Sequence, residues 1–189
     1  MAQDRTIEKQ DFTRGGWEDE YIDCVFEHCD FSDAEIREVY FEACTFRFCN
    51  FSLSKMSAHF RDCCFCECKM SGADFSSLSR LAAGFSFEKS NLSYASFIRT
   101  KLKGAKFADC VLTEAYFDEA DVSGAVFDRC DMERTSFFRT NLEKADLSTS
   151  FHFIIDPAEN RLKKAVFSEA GLRGLVAQWG IVIREADEF

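Results

Sequence analysis

Large apolar residues recur along this chain with a period of five. The beat runs through Phe26, Phe31, Ile36, Phe41, Phe46, Phe51 and Met56, slips by one residue, and continues at Phe60, Phe65, Met70 and Phe75. After an irregular interval it resumes for thirteen repeats, at Phe87, Leu92, Phe97, Leu102, Phe107, Leu112, Phe117, Val122, Phe127, Met132, Phe137, Leu142 and Leu147. Two residues before each centre stands a small residue, Cys, Ala, Ser or Thr in 22 of the 24 repeats, with Val39 and Phe85 the exceptions. This is neither the 3.6-residue period of a helix nor the simple alternation of a strand. A residue and its second neighbour share one face of extended chain. The pattern therefore predicts a chain bending at regular corners, with the two marked residues inward and the other three outward.

Four such units make a square coil of 20 residues, and residues 20 apart stack at the inter-strand spacing of about 4.8 Å. The cysteines follow that spacing. Cys24 and Cys44 stand one coil apart, as do Cys29 and Cys49, and Cys110 and Cys130. Cys63 and Cys68 extend the first two pairs one residue early, as the slip before Phe60 requires. In these inward columns a free cysteine serves as a small hydrophobe. The structural core is read as the inward rings, among them Phe31, Phe51, Phe97, Phe117 and Phe137.

The segments CDFSD (29–33), ADFSS (73–77), SNLSY (90–94), EADVSGAVF (119–127) and TNLEKADLS (140–148) closely resemble the A(D/N)LXX consensus of the pentapeptide repeat family. The resemblance covers about residues 24–149 and implies an all-β fold, a right-handed quadrilateral parallel β-helix. The expected organisation is a β-helix over residues 1–150, with an irregular start at 1–20 and a loop at 76–85, followed by a C-terminal region at 151–189. Within the start, Phe12 and Trp17 are five apart and suit a further coil. The loop interval, from Phe75 to Phe87, is two residues longer than two repeats and offers no inward place for Arg80. It reads either as a functional loop, with Ser79, Arg80 and Leu81 at its tip, or as a tolerated insertion.

Past Leu147 the beat fails. Residues 151–166, with the single proline Pro157, read as an atypical closing coil, and Phe167 as a last centre. Ser168 is placed to cap a helix whose apolar residues Leu172, Leu175, Val176 and Trp179 follow helical spacing, ending at Gly180. Ile181-Val182-Ile183 reads as a short strand. A solenoid must cover its ends, so this helix is a simple cap or a cap that also forms a two-fold dimer through Leu172, Leu175, Val176, Trp179 and Ile181. The dimer is the preferred reading.

The formal charge is −10, from 23 basic and 33 acidic residues, which argues against nucleic acid as a partner. Residues 1–85 carry 16 acids against 9 bases, whereas residues 86–150 carry 11 against 9. A run over residues 18–42 holds ten acids against Arg37 alone; Glu27, Asp30, Asp33, Glu35 and Glu38 within it are the candidate acidic patch. The column from 24 to 149 has a net charge of −5, whereas duplex DNA of similar length, roughly 29 Å, would carry about 17 negative charges. Any imitation of DNA is therefore one of shape plus local acidity.

Catalytic and cofactor motifs are not found: there is no phosphate-cradling glycine loop, nucleophile elbow or paired-acid motif. The string Cys63-Cys64-Phe65-Cys66-Glu67-Cys68 does not suit a metal, because the repeat sends Cys63 and Cys68 inward and Cys64 and Cys66 outward. Cys64 and Cys66 read as exposed, oxidisable thiols. No apolar stretch is long enough to span a membrane, and the start MAQDRTIEKQDF lacks a signal-peptide core, so the expected compartment is the cytoplasm.

The run IIDPAENRLKKAVFSEAGLRGLVAQWGIVI is most similar to the branch of the family that holds the Qnr proteins and the microcin B17 and albicidin immunity proteins. That resemblance implies a non-enzymatic, dimeric protein that binds DNA gyrase or topoisomerase IV and protects it from a quinolone or peptide toxin. The alternative is a scaffold displaying a protein-interaction surface, with no topoisomerase activity.

Overall fold

The computed structural model describes residues 1–78 and 83–184. Strands of two or three residues, separated by corners, wind into a right-handed quadrilateral parallel β-helix that ends in one short helix, α1 (Leu172–Val176). The corners explain the period. Two residues past most centres the backbone turns left-handed, with φ of 54° at His28, 56° at Asp33, 56° at Glu38 and 51° at Ala43. This conformation costs a residue with a side chain about 1–2 kcal/mol. Many corner N–H groups are met by the next coil: His28 N donates to Arg47 O at 3.0 Å and Asp33 N to Ser52 O at 2.9 Å. Gly104 and Gly124 hold the same corner place at φ of 69° and 67°, with no atom within 4 Å of an added Cβ, so backbone conformation alone favours glycine there.

All four faces pair in parallel. The first stacks Ala2, Tyr21, Phe41 and Phe60. The second is a sheet of seven strands, through Ile7, Phe26, Phe46, Phe65, Phe87, Phe107 and Phe127. The third bridges Asp11, Asp30, Asn50, Lys69, Asn91, Val111, Asp131 and Phe151 in turn, and the fourth runs from Glu35 through Lys55, Asp74, Ser96 and Tyr116 to Ser136. The step from Phe26 to Phe46 is four full repeats. The next, from Phe46 to Phe65, is one residue shorter, and the step across the insertion, from Phe65 to Phe87, is two residues longer.

Inside, the rings stack along the column and meet edge to face around it. Phe31 lies 4.6 Å from Phe51 and Phe97 lies 4.8 Å from Phe117, both nearly parallel. Phe117 meets Phe107 at 5.9 Å and Phe127 at 5.8 Å, both nearly perpendicular. These are the two arrangements that the aromatic quadrupole favours. The small positions are buried too, and their thiols donate to carbonyls: Cys44 Sγ reaches Tyr21 O and Glu42 O, each at 3.4 Å. Burial pushes the Cys44 and Cys63 thiols up to about 12.

Pairing extends beyond the five-residue beat at the N-terminus. The stretch read as an irregular start pairs at Ala2, Ile7 and Asp11, and Phe12 is buried and stacked 4.7 Å from Phe31. Leu78 N still closes a turn onto Phe75 O at 3.0 Å, Ala83 exchanges backbone hydrogen bonds with Phe60 and Asp62, and Phe85 is buried. Ser79, Arg80 and Leu81 lie outside the described residues.

The closing coil is held by a buried polar side chain. Asn160 Nδ2 donates to Phe137 O and Asp156 O, each at 2.9 Å, and its Oδ1 accepts from Thr140 N at 2.9 Å. Helix α1 starts at Leu172 rather than directly after Ser168. Ser168 Oγ instead accepts from Gly171 N at 3.1 Å, fastening the turn before the helix. Two glycines let α1 approach the column. A Cβ on Gly171 would lie 2.8 Å from Phe153 Cζ, and one on Gly174 would collide with the Phe153 carbonyl oxygen. Their low helix propensity also keeps the element short. Ala177–Trp179 continue as a 3-10 turn, and Gly180 ends it at φ 64°. Residues 181–183 form no strand among the described residues, and the three lie exposed.

Candidate interaction surface

The geometry disperses the acidic residues that adjoin one another in sequence. Glu27 lies on the second face beside Arg47, Asp30 on the third, Asp33 at the next corner, Glu35 on the fourth, and Glu38 at the corner beyond it. Four repeats make one complete coil, so a run as long as 18–42 necessarily circles the column. Several of these carboxylates are also engaged. Asp30 Oδ1 accepts from Ser32 N at 3.0 Å, Ser32 Oγ at 2.7 Å and Asn50 Nδ2 at 3.2 Å. Glu27 lies 3.5 Å from Arg47, Glu35 3.7 Å from Arg37, and Glu18 2.9 Å from the chain's amino group.

Four acids lie on or beside the first face. Asp19 and Glu20 enter the first face, Asp23 leaves it, and Glu38 occupies the corner before its next strand; among the described residues none of the four makes an ion pair. One coil on, the same face carries Tyr40 stacked on His59, ring centroids 4.3 Å apart. Tyr40, Phe41, Glu42, His59, Phe60 and Arg61 line a shallow groove of about 380 Å³ there. Arg61 pairs onward with Ala83 on the same face. The period itself holds this information: residues 19, 20, 23, 38 and 40 fall in neighbouring phases once the coil length is known.

The C-terminal half carries several bidentate or close ion pairs between coils. Arg129 donates to both oxygens of Asp109, at 2.7 and 2.8 Å, and Arg99 to both oxygens of Glu119 at 3.1 Å. Arg134 lies 3.3 Å from Glu114, and Arg161 2.7 Å from Glu143. The Arg129 guanidinium holds the Asp109 carboxyl below its ordinary range, and Arg99 does the same for Glu119. Residues 86–150 carry 11 acids against 9 bases, so their net charge is small.

The nominated C-terminal residues divide in two. Leu175 is half-buried and packs against the core, and Val176 is half-buried beside it. Leu172, Trp179 and Ile181 are 50%, 59% and 54% exposed, and Val182 is 80% exposed, so one apolar strip stays uncovered. Among the described residues no helix is long and apolar enough to cross a membrane, and no group of three or more His, Cys, Asp and Glu side chains is arranged to hold a metal.

The model of the pentapeptide repeat family, in 8 copies, matches residues 22–57, 90–133 and 115–150, about half of the chain. The chain belongs to the pentapeptide repeat family. No curated protein sequence matches it. Among solved structures, this pentapeptide repeat protein is similar to full-length QnrB1, a plasmid-mediated fluoroquinolone resistance protein, at a TM-score of 0.58 and 21% identity over 95% of this chain and 99% of that one. A trypsin-treated QnrB1 variant matches at a TM-score of 0.55 and 21% identity, over 97% and 99% of the two chains. HetL, from the cyanobacterium Nostoc sp. and involved in heterocyst differentiation regulation, matches at 0.51 and 18%, over 87% and 75%. At these identities the likeness shows the fold. Pentapeptide repeat proteins are generally structural or interaction scaffolds.

Proposed function

We propose that this pentapeptide repeat protein is a non-enzymatic DNA mimic that binds a type II topoisomerase, DNA gyrase or topoisomerase IV, and shields it from a quinolone or a peptide toxin. The carrying observation is a β-helical column that bears four acids without a described ion pair, Asp19, Glu20, Asp23 and Glu38, on or beside the early part of its first face. A slim rod with local negative charge suits a groove built for duplex DNA, whose basic walls recognise charge and shape together. The fold match to QnrB1 along 95% of the chain supports the same direction. The active form is a homodimer, because the strip of Leu172, Trp179 and Ile181 is apolar and uncovered at one end of the column, where two-fold pairing would bury it. The protein works in the cytoplasm, with its target.

A second reading is a scaffold that presents the Tyr40–His59 groove to a different protein. It is favoured by the paired, nearly neutral C-terminal half, which gives little reason for DNA mimicry there. Gyrase supercoiling assays with and without a quinolone separate the two. Topoisomerase protection predicts that micromolar protein restores supercoiling in the presence of drug. No binding and no relief at that concentration would leave the scaffold reading.

A further inference from the structure

Ten cysteines occur in this chain, and eight of them are buried in the inner columns. Cys64 and Cys66 are the exceptions. They sit on one strand, Cys64–Cys66, in the middle of the seven-stranded second face, half-buried, with their sulfurs 3.1 Å apart. We propose that Cys64 and Cys66 form a reversible dithiol–disulfide site that exchanges with low-molecular-weight disulfides of the glutathione type.

Side chains two apart on a strand leave the same side, so these sulfurs meet without disturbing the ladder. Cys64 N donates to Cys44 O at 3.0 Å, Phe48 N donates to Cys66 O at 3.1 Å, and the strand is paired on both sides, with Thr45–Arg47 and with Ser86–Glu88. At a strand rise of about 3.3 Å per residue, the two Cα atoms stand about 6.6 Å apart. That is near the upper edge, about 6.8 Å, of what a disulfide spans, and closure must also draw the Cβ atoms to about 3.5–4.5 Å, bending the strand. A bond formed there carries strain and is readily reduced again. Among the described residues no third metal-binding side chain joins the pair, so its chemistry is that of two sulfurs.

The roles of the two differ. Burial and the hydrogen bond with Cys64 push the Cys66 thiol up to about 12, which suits Cys66 to resolve an adduct rather than to attack first. The Cys64 thiolate attacks one sulfur of RSSR, the S–S bond breaks, and RS⁻ leaves with a mixed disulfide on Cys64. Cys66 then gives up its proton and displaces the second RS⁻ as the Cys64–Cys66 bond forms. The sum is protein dithiol plus RSSR giving protein disulfide plus two RSH, with two electrons passing to the small disulfide. Cys63 and Cys68 cannot resolve the adduct, because their sulfurs lie inward, bonded to Phe41 O and Phe46 O.

The test incubates the full-length folded protein with excess oxidised glutathione, quenches with an alkylating agent and counts thiols by mass spectrometry. The expected result is loss of two of the ten thiols, recovered on adding dithiothreitol. Cleavage after Phe65 should leave the Cys64 and Cys66 fragments joined. C66S should stop at a glutathione adduct on Cys64, and C64S should react more slowly than the wild type. Circular dichroism of both variants confirms that the column persists. Ten thiols surviving in the folded wild type, adducts on both sulfurs without closure, or a bond between two chains would each overturn the proposal.

Discussion

Replacing Phe117 with alanine tests the inward column at its best-surrounded point. The ring is fully buried and has four aromatic neighbours: Phe97 at 4.8 Å, Phe137 at 5.4 Å, Phe107 at 5.9 Å and Phe127 at 5.8 Å. Each such ring pair contributes about 0.5–1.5 kcal/mol beyond burial, and truncating a buried phenylalanine costs about 3–5 kcal/mol in all. The cost should lie in the upper half of that range. Phe117 N is bonded to Ser136 O at 2.9 Å, and the coils above and below are locked by similar ladders, so the walls cannot collapse into the cavity. With a urea slope of about 2 kcal/mol per molar, the midpoint should fall by about 2 M. Glu114→Ala, which removes a solvent-facing partner of Arg134 at 3.3 Å, should cost about 1 kcal/mol or less. Urea melts followed by circular dichroism measure both. Equal shifts for the two variants, or a loss below about 1 kcal/mol for Phe117→Ala, would refute the inward register, given what an emptied core site costs.

Three further outcomes are expected. Asp109, held below its ordinary 3.8 by Arg129, contributes stability that is present above its unfolded value and lost as pH falls through the depressed one. Asp109→Asn should therefore lower Tm at neutral pH and converge with the wild type in strong acid; a pH-independent difference would contradict the pairing. Gly174→Ala drives a Cβ into the Phe153 carbonyl oxygen, lifting α1 and breaking the 3.1 Å bond from Ile155 N to Gly174 O. Hydrogen exchange should rise over residues 168–180 while the column keeps its protection; unchanged exchange would show that α1 docks otherwise. Charged replacements at the exposed Trp179 and Val182 should give monomers in light scattering, and a surviving dimer would place the interface elsewhere.

The register is legible in the sequence because one period governs backbone, core and corners alike. Phe26, Phe46 and Phe65 stack as the spacing requires, and the slip before Phe60 appears as the shortened step between the last two. What the period hides is whatever does not use a large ring. Ala2 and Ile7 occupy rungs beneath Tyr21 and Phe26, but small or aliphatic residues mask the beat; Phe12, one residue short of a full coil before Phe31, is the available signal. Phe85 fills a place normally held by a small residue, yet it packs inward. Likewise the acidic run looks like a patch only when adjacency in sequence is read as adjacency in space. On a coil of four repeats the neighbours of Glu20 are Tyr40 and its surroundings rather than Glu35. The closing helix is shorter than its apolar spacing suggests, because Phe153 requires glycines that the spacing ignores. Cys64 and Cys66, which read as exposed thiols, are half-buried against each other, as two residues on one side of a strand must be.

The measurement that reaches the functional account most directly is competition between this protein and duplex DNA for gyrase, read by fluorescence anisotropy of the labelled protein. A rod that imitates the duplex should bind at micromolar concentration, be displaced by unlabelled DNA in proportion to its concentration, and bind less tightly when Asp19, Glu20, Asp23 and Glu38 are replaced by their amides. Binding that duplex DNA leaves untouched, or no binding at all, would contradict it.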